Sequence, residues 1–144
     1  MLNIKQLLNL TPAKVRYRSS YPRIRVIEDK PRSKYRHIYT RVSLGNVEST
    51  GDSYTQTIRC HGTKKNSGDF ILSPDSLLWV HCSCPYFTYY LETVLHLHGS
   101  SRIYNSNGGM PRITNPKLRP YLCKHLYATT LDLLAKDKKK IRKR

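Results

Sequence analysis

The sequence has few acidic residues, few cysteines and no long apolar run, and each shortage argues against a class of protein. Only nine of the 144 residues are Asp or Glu. They form no pair at helical spacing near the cysteines, so the carboxylate pair of a general acid–base enzyme is not apparent. The longest apolar runs, such as residues 77–80, are far too short to cross a bilayer. These features predict a soluble protein that is not an enzyme and has neither a membrane partner nor a small-molecule substrate.

Cysteine is scarce but clustered. Three of the four cysteines fall into two short motifs, a CxC at Cys82 and Cys84 and a CxH at Cys123 and His125. Thiolate sulfur and imidazole nitrogen are preferred ligands of Zn²⁺, and a Cys3His set fills all four tetrahedral positions, as in structural rather than catalytic sites. A chain of this length with 38% hydrophobic residues builds only a modest core. We therefore predict a structural Zn²⁺ that stabilises the second half of the chain.

Other interpretations of these residues stay open. Cys82 and Cys84 could alternate across the end of a strand, and Cys123 could be a small core residue of a helix. Two disulfides are a further alternative, but no basic segment followed by an apolar one marks the N-terminus, so we expect a protein that is not secreted. Cys60 and the histidine after it could compete as metal ligands. His81, beside Cys82, is a candidate for a hydrogen bond to a metal ligand.

Positive charge is concentrated at the two ends of the chain. The 26 Lys and Arg residues give a net charge of +17. Residues 1–41 carry 11 basic and 2 acidic side chains and residues 136–144 carry 7 and 1, whereas residues 42–135 carry 8 and 6. Such a field attracts polyanions, of which DNA and RNA are the commonest. A solubilising tail or an acidic protein partner would explain the same charge.

Tyrosines interleave with arginines in the N-terminal segment. Arginine contacts phosphate and tyrosine offers a flat ring or a hydroxyl, as nucleic-acid surfaces do. The alternative is an extended arm whose tyrosines pack on the domain or on a neighbour. The basic side chains predicted to contact nucleic acid or a partner are Arg16, Arg18, Arg23, Arg25, Arg32, Arg36, Lys138, Lys139, Lys140, Arg142, Lys143 and Arg144.

Hydrophobic periodicity predicts an α+β fold. Apolar residues within 2–10 favour a short helix that ends before Pro12. Alternation over residues 15–28, 38–44 and 54–61 favours strands, the second of which is expected to end at Gly45. After a polar turn at residues 62–68, two short strands are expected at 69–72 and 77–82, and they form a hairpin that leads into the CxC motif.

Two amphipathic helices are predicted around the metal. The first covers residues 85–98, with Pro85 at its first position and Gly99 after its end. The second covers residues 122–134 and carries Cys123 and His125 in its first turn, and the basic tail from Lys136 either continues it or frays. The Asn-, Gly- and Pro-rich residues 99–120 between them are expected to be a loop that is functional or held by a partner.

The predicted organisation is therefore a small antiparallel sheet or hairpin with two helices around a structural zinc site, flanked by two basic extensions. A basic N-terminal arm with a short helix covers residues 1–41, the zinc-binding domain covers residues 42–135, and a basic tail covers residues 136–144.

The order strand, CxC, helix, long connection, CxH, helix resembles the SWIM-type zinc finger, whose signature is CxC followed by CxH. The resemblance covers about residues 69–135 and implies a ββα core. The 38 residues between the two motifs exceed the usual spacing of the family. The stretches 82–87, 103–108, 113–116 and 122–126 are similar to small SWIM proteins among the virion structural proteins of tailed bacteriophages. The Zn²⁺ ligands that the resemblance implies are Cys82, Cys84, Cys123 and His125.

This resemblance and the charge predict an architectural role. We expect a structural zinc module of a large assembly, a tailed-phage virion, whose basic arms contact viral structural proteins or DNA. The alternative is a free, cytoplasmic DNA-binding accessory protein of recombination or transcription, since SWIM domains also occur in such proteins. No helix-turn-helix or other base-reading motif is apparent, which predicts weak sequence preference.

Overall fold

An antiparallel sheet and four α-helices build the described part of the chain, which confirms the predicted α+β fold. In this computed structural model the backbone is described for residues 1–19, 23–31, 39–49, 52–64 and 70–142, and side chains within 1–19, 53–60 and 72–138. The strands are β1 (Leu2–Asn3), β2 (Arg23–Pro31), β3 (Tyr39–Ser49), β4 (Asp52–Lys64), β5 (Phe70–Ile71) and β6 (Leu77–Cys82). The helices are α1 (Ile4–Leu10), α2 (Ala13–Arg18), α3 (Glu92–Leu97) and α4 (Lys124–Arg142), with a π-helical turn at Phe87–Leu91 directly before α3.

The strands lie in the order β1-β6-β4-β3-β2, and the short β5 pairs with one end of β4. Every pairing is antiparallel. A register shift between Val26 and Glu28 marks a β-bulge in β2. Because β6 lies between β4 and β1, the CxC motif begins at the end of an inner strand of the sheet.

One face of the sheet carries the core. Side chains alternate across a strand, and on β4 and β6 the cross-strand pairs Ile58–Val80 and Cys60–Leu78 are buried. Helix α1, the π-helical turn and α4 supply the fully buried side chains that belong to the same core, among them Leu7, Phe87 and Leu126. Burying each large apolar side chain contributes about 1.5–3 kcal/mol relative to exposure.

The first helix is confirmed, but the next prediction is wrong in part. Helix α1 begins with a reciprocal capping box between Asn3 and Gln6 and ends before Thr11. Residues 15–18, expected at the start of a strand, belong to α2, where Val15 is buried. The Arg16 guanidinium also donates hydrogen bonds to the carbonyl oxygens of Leu8, Asn9 and Thr11. It thereby satisfies the last carbonyls of α1, a tertiary contact that strand alternation could not reveal.

The strand predictions hold in position and differ in extent. Strand β3 continues through Gly45 to Ser49, although a turn was expected at Gly45, because β2 and β4 both pair along it. The two short strands before the CxC motif are present, but they are not a hairpin, since β5 and β6 each pair with β4 instead of with one another. Of the turn predicted at residues 62–68, residues 62–64 belong to β4 instead, and the rest lies outside the described residues.

The helix expected at residues 85–98 is present with a π-helical turn inside it. It ends at Leu97, and Gly99, which follows the C-cap residue His98, has a φ of +73° that favours glycine. Residues 99–120 contain neither helix nor strand, as predicted. Within them, Thr114 Oγ1 and Asn115 Nδ2 donate to the carbonyl oxygens of Tyr89 and Tyr90 in the π-helical turn. These bonds satisfy backbone acceptors where the α-helical ladder is interrupted.

The last helix begins two residues later than predicted, at Lys124, so that Cys123 directly precedes it. Of the two alternatives for the basic tail, continuation of the helix is the one observed, as far as Arg142. The boundaries proposed at residues 41 and 135 stay predictions. Among the described residues, no helix is long and apolar enough to cross a membrane.

Candidate metal centre

The two motifs meet at the end of the sheet. Cys82 is the last residue of β6, and Cys84 precedes the helical turn that begins at Pro85. Cys123 directly precedes α4, and His125 lies in its first turn. The end of a strand and the start of a helix therefore supply two potential ligands each, although 38 residues separate the two motifs in the chain.

The four side chains form a tight, buried cluster. One ligand atom from each residue lies within 4.8 Å of every other. The Nδ1 atom of His125 is 3.9 Å from Cys82 Sγ and 4.0 Å from Cys123 Sγ. Exposure of the four residues is 2% or less. These positions could hold a metal ion without moving the backbone elements that carry them.

The geometry fits the size of a tetrahedral metal. With Zn–S bonds of about 2.3 Å and Zn–N bonds of about 2.0–2.1 Å, the ligand atoms of a Cys3His site lie about 3.6–3.8 Å apart. The two distances from His125 Nδ1, 3.9 and 4.0 Å, exceed these values by a few tenths of an ångström. All six separations lie within 4.8 Å, so the four atoms would have to move together by at most about 1 Å to surround one ion.

Burial and mutual hydrogen bonds shift the pKa values of the three thiols in the cluster. Burial raises the pKa of the Cys82 thiol to about 12 and that of Cys123 well above its usual value. Hydrogen bonds from these two thiols lower the pKa of Cys84 far below its usual range. A bound divalent cation would stabilise all three as thiolates.

Neighbouring groups orient the sulfur atoms. The fully buried Gln56 on β4 donates from Nε2 to Cys82 Sγ at 3.5 Å and to the Tyr54 carbonyl at 2.8 Å. The backbone N–H of Phe87 donates to Cys84 Sγ at 3.4 Å. Donors to thiolate sulfur stabilise the charged form that a metal requires. The contact of Gln56 with the cluster was not predicted from the sequence. The signal was available, because Gln56 shares a strand face with Ile58 and Cys60, and a glutamine is unusual among core residues.

The remaining cysteine and the flanking histidine have other roles. Cys60 is buried in the sheet and does not belong to the ligand cluster. No disulfide joins the four cysteines, all of which lie in the described part of the chain. His81, considered as a hydrogen-bond partner of a metal ligand, instead contacts the Glu92 carboxylate, with 3.0 Å between Nε2 and Oε2.

A second cluster of buried polar contacts forms around the Glu92 carboxylate. Glu92 is fully buried at the start of α3 and accepts hydrogen bonds from the backbone N–H groups of Tyr104, Asn105 and Ser106. Burial opposes ionisation, but the hydrogen bonds from Ser106, Asn105 and His81 outweigh it and lower the pKa of Glu92. The ionised carboxylate thus fixes the beginning of the long connection. The sequence hint was a lone acid next to apolar residues of a helix.

The basic residues predicted to contact nucleic acid occupy three elements. Arg16 and Arg18 are on α2, and both are exposed, although Arg16 is engaged with carbonyls of the chain itself. Arg18 also lines a groove of about 170 Å³ beside the metal ligands, together with Lys124 and Tyr86. Arg23 and Arg25 are on the edge strand β2. The last turns of α4 carry Lys138, Lys139, Lys140 and Arg142. The other predicted residues lie outside the described part of the chain: Arg32, Arg36, Lys143 and Arg144.

Comparison with known proteins adds no relative. No protein-family model, no curated protein and no solved structure shows a significant match to this chain. The SWIM resemblance therefore stays a prediction that rests on the two motifs and their arrangement.

Proposed function

We propose that the Cys3His cluster binds one structural Zn²⁺ that joins the sheet to α4. The observation that carries this proposal is the convergence of four buried ligand atoms within 4.8 Å of one another. Three sulfurs and one nitrogen match the preference of Zn²⁺ and leave no open coordination position. The bound metal supplies cross-linking, and the residues of this chain position it.

In this proposal the chain has no catalytic activity. A catalytic zinc site keeps one position for water or substrate, which four protein ligands would occupy. The carboxylate close to the cluster in sequence, Glu92, is enclosed by four hydrogen-bond donors and would not act as a general base.

The zinc module would serve as an architectural component of a large assembly, a tailed-phage particle, in which it binds neighbouring subunits or nucleic acid. The net charge of +17 and the basic side chains of α2, β2 and α4 support this role, because a field of one sign favours anionic partners. The phage setting rests only on the resemblance of the four stretches 82–87, 103–108, 113–116 and 122–126 to phage SWIM proteins.

Metal analysis of the purified chain tests the first part. We expect one zinc per chain, and Cys123→Ser should abolish both the bound zinc and folding, because metal binding and folding are coupled in such sites. Cys60→Ala is the matched control, since it alters a buried cysteine outside the cluster and should retain one zinc. A folded, zinc-replete Cys123→Ser protein would contradict the assignment.

The assembly role and the free DNA-binding alternative differ in two measurements. If the chain is a virion component, mass spectrometry of purified particles should detect it. Affinity for a DNA duplex should fall with salt by roughly a power of 0.9 for each phosphate neutralised. A steep salt response in a protein that is absent from particles would favour the alternative, and a flat response would contradict any nucleic-acid contact.

A further inference from the structure

The sheet face opposite the core carries a group of aromatic and basic side chains. Arg59 on β4 and Trp79 on β6 are directly paired across the two strands, and residues after α3 extend alongside them. Together they line a cavity of about 260 Å³, here called the aromatic–basic pocket. Its lining includes Arg59, Trp79, His96, Ser101, Arg102 and Tyr104.

The Trp79 ring of the pocket contacts both an arginine and a tyrosine. The Arg59 guanidinium lies 4.5 Å from the centre of the Trp79 indole, which is the geometry of a cation–π contact. The Tyr104 and Trp79 rings form a T-shaped pair with a centroid distance of 6.4 Å and an interplanar angle of 82°. Tyr104 is 52% exposed, so much of its ring remains accessible to a ligand.

Hydrogen bonds hold the segment that lines the pocket in place. The Glu92 carboxylate holds the backbone N–H of Tyr104, and the Ser100 carbonyl accepts a hydrogen bond from the backbone N–H of Val80 on β6 at 2.8 Å. Ser100 Oγ also accepts from the backbone N–H of Leu2 on β1 at 2.8 Å. The segment that carries Tyr104 and Arg102 is thus fixed at both ends, and fixed recognition groups reduce the entropy cost of binding.

The charge of the pocket is positive. None of the residues that line it is acidic. Arg59 and Arg102 are exposed, and neither makes an ion pair with a carboxylate in the described part of the chain. The nearby Glu92 is buried beneath the segment and saturated by four donors. Two available guanidinium groups therefore accompany an accessible aromatic ring.

We propose that the aromatic–basic pocket binds single-stranded nucleic acid. One base would pack against Tyr104 and the accessible part of Trp79, and the adjacent phosphates would contact Arg59 and Arg102. This proposal rests on the nucleic-acid contact of the proposed function and places it at a site that the basic ends of the chain do not include.

An exposed aromatic ring beside two arginines favours a single strand over a duplex or an acidic peptide as the ligand. Stacking on an aromatic ring requires an unpaired base, and stacking platforms beside a basic groove are the common design of single-strand binding surfaces. A duplex presents phosphates but keeps its bases stacked inside. An acidic peptide would use the guanidinium groups and leave the Tyr104 ring without a flat partner.

A fluorescence titration tests the proposal. Trp79 is the only tryptophan, so its emission reports occupancy of this pocket directly. The full chain with its metal is titrated with an oligothymidylate of about 12 nucleotides, a length in the range of single-strand binding sites, at several salt concentrations. Binding should quench the emission, and anisotropy of a labelled oligonucleotide gives the affinity independently.

Variants with matched controls locate the site. Tyr104→Leu should weaken binding by about fivefold to 150-fold, the value of one stacked base. Arg59→Ala and Arg102→Ala should each weaken it and reduce the slope of log affinity against log salt by about 0.7, the contribution of one phosphate on a single strand. Tyr89→Leu and Arg112→Ala remove an exposed tyrosine and an exposed arginine outside the pocket and should change affinity about twofold at most.

The outcomes separate this proposal from the function on which it rests. If the oligonucleotide binds with steep salt dependence but the pocket variants equal their controls, the pocket is excluded and the contact by the basic ends stands. If no nucleic acid binds at low salt, both proposals fail. If polyglutamate competes at equal charge and Tyr104→Leu has no effect, the ligand is an acidic protein segment and the single-strand proposal is overturned. Arg102→Ala keeps the test valid should Arg59→Ala unfold the sheet, because Arg102 is exposed and outside the strands.

Discussion

The long connection between the two metal motifs is fixed at its ends by two different kinds of chemistry. At its beginning, the buried Glu92 carboxylate gathers three backbone N–H groups of residues 104–106. At its end, Cys123 and His125 join Cys82 and Cys84 in the candidate metal centre. The first anchor is complete within the chain, whereas the second is a cluster that could hold a metal ion and that the proposed Zn²⁺ would complete. The fold should therefore respond differently when each anchor is removed.

Removal of the metal should have the largest effect. A structural zinc contributes most of the folding free energy of a small domain, so a chelator should lower the melting temperature by more than about 10 °C, since each 1 kcal/mol corresponds to about 2–8 °C for chains of this size. Calorimetry with and without chelator measures it, and added Zn²⁺ should restore the original transition. An unchanged melting temperature would mean that the metal anchor is dispensable.

Replacement of the carboxylate anchor should have a smaller but substantial effect. Glu92→Gln retains the shape but removes the charge that accepts from three N–H groups and His81, so we expect about 2–4 kcal/mol lower stability, since hydrogen bonds to a charged group contribute more than neutral ones. Denaturant unfolding measures it.

Asp132→Asn is the matched control for this variant. Asp132 forms only a partly exposed i,i+4 ion pair with Lys136, and such pairs contribute about 0.3–0.5 kcal/mol. Both variants should retain the bound metal, which separates the two anchors. Equal stabilities of the two variants would show that Glu92 does not anchor the connection.

The effect of Glu92→Gln should depend on pH. Because the folded pKa of Glu92 lies below the ordinary value of 4.5, its ionised form stabilises the fold above pH 4.5, and this contribution is lost as the pH falls through the folded pKa. The stability difference between the natural chain and Glu92→Gln should therefore be constant near pH 7 and shrink below pH 4.5. Both proteins contain the same metal ligands, so acid release of the metal cancels in the difference. A difference that stays constant down to pH 3.5 would contradict the ionised anchor.

The Cys3His cluster could be predicted from the sequence, whereas the anchoring role of Glu92 could not, and the difference has a physical reason. Ligands with a specific chemistry and short spacing, such as Cys82 and Cys84, identify themselves before any fold is known. The role of Glu92 depends on which backbone N–H groups the fold brings to it, and a glutamate in a helix is usually solvent-exposed.

The same distinction explains the errors in secondary structure. The strand expected at Arg16 is a helix because its guanidinium satisfies the end of α1, and β3 continues through Gly45 because strands on both sides pair with it. Local pattern located most elements, but contacts between distant residues decided where several of them begin or end.

The middle of the connection should contribute least, through Asn115. Its buried side chain donates from Nδ2 to the carbonyls of Tyr90 and Arg119 and accepts at Oδ1 from the Arg119 N–H. Asn115→Ala leaves these groups without partners, so we expect a loss of about 1–3 kcal/mol in stability. Asn107→Ala, an exposed asparagine in the same connection whose Oδ1 accepts only from the Gly109 N–H, should cost about 0.5 kcal/mol or less. If urea denaturation gives the same midpoint for both variants, the connection is held only at its ends, and the hydrogen bonds between Asn115 and the π-helical turn add nothing to either anchor.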